Sequence, residues 1–166
     1  MKKLVSTLIA TTALISSASV FAGTAEVTWS EPDNYSDVRP ANESRKAFQK
    51  RTFKALDKHI GKMTEKKLPE GYTLKMDVVD LNLAGDVQLR GSTLIRVVDR
   101  VFIPSMEFSY SLSDANGKVV KEESGVKLKD MSFMDSIKNA RYRHESLSYE
   151  KAMLDEWFKE NLAEFK

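Results

Sequence analysis

Three aspartates and an arginine in the middle of the chain are the residues best suited to acid–base or hydrolytic chemistry. Side chains alternate between the two faces of a strand. If the stretch VVDLNLAGD is a strand, Asp80 falls on the same face as its apolar residues. Asp99 likewise falls on the face of the apolar residues around it. A carboxylate on a core-facing position needs a partner, or its pKa rises. Together with Asp86 and Arg96, these residues form a candidate polar site. A structural ion pair or capping role is favoured, and a paired-carboxylate active site or metal site is the alternative, for which no spacing motif exists.

Few other residues could carry catalysis. The chain has no cysteine and two histidines, so thiol chemistry and cysteine metal clusters are excluded. His59 lies in an apolar stripe, which favours a packed, hydrogen-bonded role, and His144 lies in a predicted loop. Neither has an acidic or hydroxyl partner at a diagnostic spacing, and no nucleophile elbow, phosphate-binding loop or zinc-binding motif occurs. The sequence therefore predicts no catalytic triad, no metal and no cofactor.

A basic ladder in the stretch KAFQKRTFKALDKHIGKMTEKK is the clearest candidate for binding. At about 100° per residue, its apolar residues occupy one half of a helix and its basic residues the other half. The basic half is either a solvated face, which is the commoner case, or a strip that docks an anionic envelope component or an acidic protein partner. The members of this half, which we call the basic face, are Lys50, Arg51, Lys54, Lys58 and Lys62.

Charge is distributed unevenly between two segments of the chain. Residues 42–68 contain nine basic and three acidic residues, whereas residues 145–166 contain six acidic and three basic residues. If both segments are helices on one sheet, their opposite charges partly compensate each other. We therefore expect a basic helix beside an acidic helix.

The beginning of the chain has the composition of a cleaved export signal. A basic start with two lysines is followed by an apolar stretch, and Val20-Phe21-Ala22 fits the small-x-small pattern of a signal peptidase site. A membrane-spanning helix is disfavoured because serines and threonines interrupt a run that is short for the ~20 residues of a span. We therefore predict a signal peptide over residues 1–22 and no transmembrane anchor after its cleavage.

Export would change the charge balance and limit the possible partners. Removing the two lysines at the start leaves 24 of the 26 basic residues, against 24 acidic residues. A neutral mature protein gives no electrostatic argument for binding nucleic acid. Because the chain has no cysteine, no lipid can be attached through one at the cleavage site and no disulfide can form. One hydrophobic core must hold residues 23–166 together as a single domain.

Alternation and turn residues predict the elements that position these side chains in the first half of the chain. The stretch EVTWSE alternates as a half-buried strand, which Pro32 ends. Asn42 is predicted to cap the first helix, which runs to about Lys67. A second strand is predicted over Tyr72–Leu83 and a third over about Ser92–Ile103.

The second half of the chain is predicted in the same way. The stretch MEFSYSLS alternates cleanly, and Asn116-Gly117 predicts a hairpin turn before a return strand over Lys118–Glu123. Residues 124–146 have no regular period, so we expect them to be packed down or functional. A final helix is predicted from Ser148, because apolar residues follow it at four-residue steps.

The predicted order is strand, helix, several antiparallel strands and helix. This order indicates an α+β fold, a two-layer sandwich in which two helices pack on one face of an antiparallel sheet of about four to five strands. The opposite sheet face carries polar residues and can remain in water.

Five stretches resemble one family when they are taken in order along the chain. They are EVTWSEPDNYSDVR, LKMDVVDLNLAGDV, IPSMEFSYSLSDANGKVVKEES, LKDMSF and YEKAMLDEWF. Their order and spacing resemble the domain of unknown function 3016 (DUF3016) family of small exported proteins of Gram-negative bacteria. The resemblance implies a periplasmic address and one α+β domain, and it implies no activity, cofactor or catalytic residue. Some relatives look like lipoproteins, and this chain departs from them because it lacks the cysteine that would carry the lipid.

Two functions of different classes remain open at this stage. The first is a soluble, non-enzymatic periplasmic protein that binds an unknown protein or an anionic envelope component through the basic face or the 124–146 segment. The second is a small hydrolase that uses Asp80, Asp86 or Asp99. An enzyme requires these carboxylates to converge in a cleft, whereas a binding module should show them dispersed, with an apolar or basic patch instead. A passive envelope protein without a specific ligand is a third possibility.

Overall fold

The computed structural model describes residues 22–134, 142 and 144–165. The predicted signal peptide lies outside these residues up to position 21, and so do residues 135–141 and 143 of the irregular segment. Short 3-10 turns follow the first strand and the last helix. The strands and helices are β1 (Thr24–Trp29), α1 (Arg45–Lys67), β2 (Thr73–Asn82), β3 (Asp86–Arg90), β4 (Thr93–Val97), β5 (Ser105–Ser113), β6 (Val119–Lys129) and α2 (Ser148–Asn161).

Four strands form the main sheet in the order β1-β2-β5-β6. β5 is antiparallel to both β2 and β6, but β1 is parallel to β2, with Val27 opposite Met76. The α+β class is confirmed, whereas the sheet is mixed and not wholly antiparallel. The reason is α1, since its 23 residues carry the chain back along the sheet before β2 begins. Parallel neighbours require such a crossover.

Both helices pack on one face of the main sheet, as predicted. Their apolar residues join the inward residues of β2 and β5 in a single core cluster. Each fully buried apolar side chain contributes about 1.5–3 kcal/mol, so the cluster can hold the fold without a disulfide. Its most deeply buried members include Leu56, Ile60, Leu74, Val78, Phe108, Leu112, Leu154 and Phe158.

α1 has the two faces that the sequence predicts, but it begins two residues later. Its N-cap is Ser44, whose side-chain oxygen accepts a hydrogen bond from the Ala47 backbone nitrogen at 3.3 Å. Asn42 does not cap the helix, because its side-chain amide donates to the Leu94 carbonyl at 2.8 Å. Among the helices of the described ranges, none is long and apolar enough to cross a membrane.

β3 and β4 form a separate two-stranded ribbon. The predicted third strand is therefore too long, because β4 ends at Val97, and its partner β3 was not predicted. Leu89 and Leu94 face each other across the ribbon and are both exposed. An isolated two-stranded ribbon is marginally stable, so this one depends on contacts at its base.

The hairpin after β5 forms at Gly117 as predicted, with a positive φ of 78°. Its return strand is longer than predicted, because β6 continues to Lys129. The irregular segment therefore starts later than residue 124. Phe133 in this segment is buried, whereas Met131 is exposed.

A β-bulge in β2 changes the direction in which Asp80 points. The register between β2 and β5 shifts between Val78 and Asp80, so that Val78 and Leu81 are both buried although they are three positions apart. Bulges of this kind redirect the side chains that follow them. Asp80 consequently pairs with Glu107 on the outer face, and the prediction that it faces the core is wrong.

Candidate functional site

A cleft of about 520 Å³ opens between the first turns of α1, the base of the β3–β4 ribbon and the start of α2. We call it the helix cleft. Its size falls within the range of about 300–1,000 Å³ that is typical of small-molecule sites, and its walls are mainly apolar, as such sites usually are. The apolar wall residues include Phe48, Ala55, Leu83, Val98, Leu147 and Tyr149.

The backbone at the start of α2 is strained where it borders the helix cleft. Leu147 adopts a left-handed conformation with φ 59° and ψ 37°, and it lines the cleft. This conformation costs a non-glycine residue about 1–2 kcal/mol, and such residues cluster at functional sites. It turns the chain sharply into α2, so that Glu150 in the first turn is directed inward.

Glu150 lines the helix cleft and is only 2% exposed. Its Oε1 atom accepts a hydrogen bond from the Ala84 backbone nitrogen at 2.7 Å. Burial raises the pKa of Glu150 and outweighs the lowering effect of its backbone hydrogen bonds and of the nearby Arg96. The carboxyl group is thus biased toward its neutral form. A carboxyl with a perturbed pKa in a cleft is a candidate functional group.

Two of the guanidinium groups that line the helix cleft are held by bonds behind it. Arg96 donates to both carboxylate oxygens of Asp37, at 2.9 and 3.4 Å, and to the carbonyls of Gly85 and Arg39. Arg39 donates to Asp37 at 3.0 Å and to Asp86 at 2.9 Å. This cluster ties the ribbon to the loop between β1 and α1, so both arginines have a structural role.

Arg51 is a third guanidinium group on the wall of the cleft, and it differs from the other two. Its side chain is 64% exposed, forms an ion pair with Glu43, and lies 5.4 Å from the centroid of the Phe48 ring. An ion pair this exposed contributes about 0–1 kcal/mol. Arg51 can therefore leave Glu43 for another anion at little cost.

The predicted polar site is divided between separate places. Asp86 and Arg96 meet in the cluster at the base of the ribbon, where Arg39 joins them. Asp80 accepts hydrogen bonds from the backbone nitrogen and the hydroxyl of Ser36, at 2.6 and 2.7 Å. Asp99 is exposed and lies after the end of β4, so the strand parity assumed for it does not apply.

A second cleft, of about 540 Å³, contains Asp80 on the outer side of the molecule. Glu107 lies there beside Asp80 and pairs with Lys127 at 3.4 Å. This cleft is similar in volume to the helix cleft, but its lining is more polar. The helix cleft is the better candidate, because apolar walls with few polar groups characterise ligand sites.

The five side chains of the basic face are all exposed, as the helical pattern predicts. Arg51 pairs with Glu43, whereas no ion pair within the described part of the chain involves Lys50, Lys54 or Lys58. Like charges at four-residue spacing repel each other by a few tenths of a kcal/mol per pair. Lys50, Lys54 and Lys58 are therefore the part of the basic face that no ion pair among the described residues compensates, and they lie on the helix that borders the helix cleft.

The two helices meet away from the cleft in a hydrogen-bonded group that we call the helix junction. His59 is 7% exposed, and its Nε2 atom lies 3.0 Å from an Asp155 carboxylate oxygen. Tyr142 donates its hydroxyl to the other oxygen at 2.7 Å. The packed, hydrogen-bonded role predicted for His59 is thus confirmed. The described residues include no group of three or more side chains that could together hold a metal ion.

Sequence reasoning missed Glu150, although a signal for it exists. Leu154, Phe158 and Leu162 recur at four-residue steps along α2, and Glu150 lies one step before them. A charged residue in line with an apolar stripe indicates a buried carboxyl. Asp37 and Arg39 were also missed, because they lie in a loop without periodicity.

The fold and the cleft define a small α+β domain with an apolar, arginine-bordered cavity on its helical side. The chain belongs to the family described as a protein of unknown function (DUF3016), which matches residues 23–160. The resemblance seen in the five sequence stretches is thereby confirmed. Comparisons with curated proteins and with solved structures found no match.

Proposed function

We propose that this protein is a non-enzymatic binding module that works in the periplasm after export, and that the helix cleft is its ligand-binding site. The observation that carries the proposal is a cleft of about 520 Å³ with apolar walls and one buried carboxyl group, Glu150. This combination is the usual form of a small-molecule site. The periplasmic address is supported by the composition of residues 1–22 and by the resemblance to exported proteins.

The dispersal of the three candidate carboxylates favours binding over hydrolysis. Asp80, Asp86 and Asp99 each have different surroundings, and none of them lines the helix cleft. Acid and base groups must reach the same substrate bond, within about 2.6–3.2 Å of the proton-bearing atoms. A hydrolase that uses these three residues together is therefore the weaker alternative.

Filling the helix cleft tests the binding proposal. We expect the wild-type protein to increase the emission of an uncharged naphthylamine dye that enters the cleft. Ala55 lies on the cleft wall, so Ala55→Phe should occupy the cavity and abolish this increase. Ala47→Phe is the matched control, because Ala47 is exposed on the same helix. If both variants increase the dye emission as much as the wild type does, the helix cleft is not a binding site.

Cell fractionation tests the proposed address. When the full-length chain is expressed, we expect its product in the periplasmic fraction. Intact mass should show that this product begins at Gly23. Replacing Ala22 with Arg should block cleavage, because signal peptidase requires small residues near the cut. Cytoplasmic recovery with an intact start would contradict export.

A second candidate function is docking of the basic face on an anionic lipid surface. It is favoured by Lys50, Lys54 and Lys58, which are exposed and form no ion pair with the described residues. Each basic residue near such a surface contributes about 1 kcal/mol. This docking is compatible with ligand binding in the cleft.

Charge reversal tests this second function. The Lys50→Glu, Lys54→Glu, Lys58→Glu variant should no longer sediment with phosphatidylglycerol vesicles at low salt. The control reverses Arg90, Lys118 and Lys129, which are exposed outside α1 and give the same change in net charge. Absence of wild-type sedimentation at low salt, or equal loss in both variants, would show that the basic face is only solvated.

A further inference from the structure

We infer that the helix cleft takes a small amphiphile with a single anionic head group, whose head binds Arg51 and whose tail lies against the apolar walls. This inference rests on the proposed function of the cleft and adds the chemical class of the ligand. Three observations support it: the position of Arg51, the bonds that hold the other charged groups of the cleft, and the basic face beside the opening.

Arg51 is placed to contact both parts of such a ligand. It lines the cleft, and its guanidinium group lies 5.4 Å from the Phe48 ring centroid, above an apolar wall residue. A guanidinium group presents donors that match a carboxylate or phosphate in two parallel hydrogen bonds. The present partner of Arg51 is Glu43, whose side chain is 37% exposed. If an incoming anion displaces Glu43 from Arg51, water can therefore solvate the Glu43 carboxylate.

The other charged groups of the cleft do not compete for the ligand. The Arg39 guanidinium is 59% exposed, but two carboxylates hold it, those of Asp37 and Asp86, and Asp37 is only 8% exposed. The Arg96 guanidinium is held by Asp37 and by two backbone carbonyls. Glu150 is buried and its pKa is raised, which reduces the repulsion that its carboxylate would exert on an anion. Arg51 is therefore the guanidinium group on the described cleft wall that is available to bind a head group.

The electrostatic field outside the cleft also favours an anion. At about 100° per residue, Lys58 and Lys62 project within about 20° of the direction of Arg51, so they continue the same side of α1. All three side chains are exposed. A strip of one charge sign beside a cleft raises the local concentration of ligands with the opposite sign.

The experiment compares three ligands with the same ten-carbon tail and different heads, each kept below micelle formation. Decanoate, decanol and decylamine are titrated calorimetrically into the mature wild-type protein and into Arg51→Gln. We expect decanoate to bind wild type most tightly and to lose about fivefold in affinity in Arg51→Gln, whereas decanol should bind both proteins equally. Lys54→Gln is the matched control, since it removes one positive charge from the same helix and Lys54 does not line the cleft.

The outcomes separate this inference from the proposed function. If decanol and decanoate bind wild type equally, or Arg51→Gln and Lys54→Gln weaken decanoate equally, the anionic-head inference is overturned while the cleft remains a binding site. Tighter binding of decylamine would overturn it as well. If none of the three ligands binds, both the inference and the proposed function fail.

Variants that fill the cleft show where the tail lies. Ala55→Phe and Val98→Phe approach the cavity from α1 and from the residues after β4, so one can replace the other if either fails to fold. Circular dichroism identifies the folded variants. Loss of decanoate and decanol binding in the folded variants supports the inference, and unchanged binding overturns it. Gel filtration completes the test, because dimer dissociation in these variants without ligand binding would identify a second copy as the occupant and overturn the inference.

Discussion

The helix junction and the floor of the helix cleft place two acids of one helix in opposite situations. Asp155 at the junction accepts hydrogen bonds from His59 and Tyr142, whereas Glu150 in the cleft accepts one from the Ala84 backbone nitrogen. The two acids are five positions apart, so their side chains point about 140° apart around α2. Asp155 thus faces donor side chains, and Glu150 faces backbone and apolar walls.

This difference in partners shifts the pKa values of the two acids in opposite directions. Although burial raises the pKa of Asp155, the hydrogen bonds from His59 and Tyr142 lower that pKa overall. Burial dominates at Glu150 and raises its pKa, even with Arg96 and Lys151 nearby. At neutral pH, the ionised form of Asp155 therefore stabilises the folded protein, whereas burial of the Glu150 carboxyl destabilises it. A region where a fold retains such an unfavourable group is a candidate site, because function is a reason to keep it.

The largest expected effect comes from breaking the junction. Asp155→Asn should lower the free energy of unfolding by about 2–4 kcal/mol at pH 7, because His59 and Tyr142 lose a charged acceptor in a partly buried place. A lowered folded pKa gives stability that is present above the unfolded value of 3.8 and is lost as the pH falls through the folded value. The deficit should therefore shrink at pH 3. Urea unfolding at both pH values measures it.

The control for this variant is Glu160→Gln, which removes an exposed acid from the same helix. It should change the free energy of unfolding by less than about 0.5 kcal/mol. A similar effect of the two variants, or an Asp155→Asn deficit that does not depend on pH, would mean that the junction is not held by charge.

A smaller effect is expected from removing one bond of the junction. Tyr142→Phe deletes the hydroxyl that lies 2.7 Å from Asp155, and it should lower the free energy of unfolding by about 1–2 kcal/mol. The pKa of Asp155 should rise, which nuclear magnetic resonance of its carboxyl carbon can follow. Tyr72→Phe, on a residue away from the junction, is the control. An unchanged Asp155 titration would contradict the role given to Tyr142.

The opposite response is expected at the cleft floor. A raised folded pKa gives stability that is full below the unfolded pKa of Glu150, 4.5, and is lost as the pH rises through the folded value. Glu150→Gln keeps an oxygen for the Ala84 nitrogen and cannot ionise. It should raise the free energy of unfolding by about 1 kcal/mol at pH 7, with no gain at pH 4. Destabilisation at pH 7 would show instead that Glu150 is ionised and paired.

The smallest effect is expected at the mouth of the cleft. Arg51→Gln should change the free energy of unfolding by less than about 0.5 kcal/mol, because both members of its ion pair are exposed. Thermal unfolding of Arg51→Gln, compared with that of Lys54→Gln and the wild type, checks this prediction. If Arg51→Gln alone lost much of its free energy of unfolding, Arg51 would have a structural role. The contrast between a junction that stabilises the fold and a cleft that binds ligand would then be weaker.

Much of the fold could be predicted because it depends on local periodicity. The two halves of α1 follow from the 3.6-residue repeat, and the inward residues of β5 follow from strict alternation. The turn at Asn116-Gly117 follows from the conformational freedom of glycine. Each of these features is determined by residues within a few positions of one another. The signal peptide and binding by the basic face remain predictions.

Other features required knowledge of which elements become neighbours. The parallel pairing of β1 with β2 depends on the path of α1. The position of the ribbon depends on the bonds from Arg96 to Asp37, which tie it to the loop between β1 and α1. The bulge after Val78 reversed the expected direction of Asp80. Alternation along one strand carries no information about its partner's register, so these features could not be read from the sequence.

The candidate site shows the same division. The sequence by itself determined that α1 has a basic face, that Glu150 lies in line with an apolar stripe, and that the chain belongs to its family. Only the tertiary structure decided that Glu150 meets Ala84, 66 positions away, and that Arg51 stands at the same cavity. The physical reason is that a helix is specified by its own nearby residues, whereas a cleft is the space left between elements that long-range packing brings together.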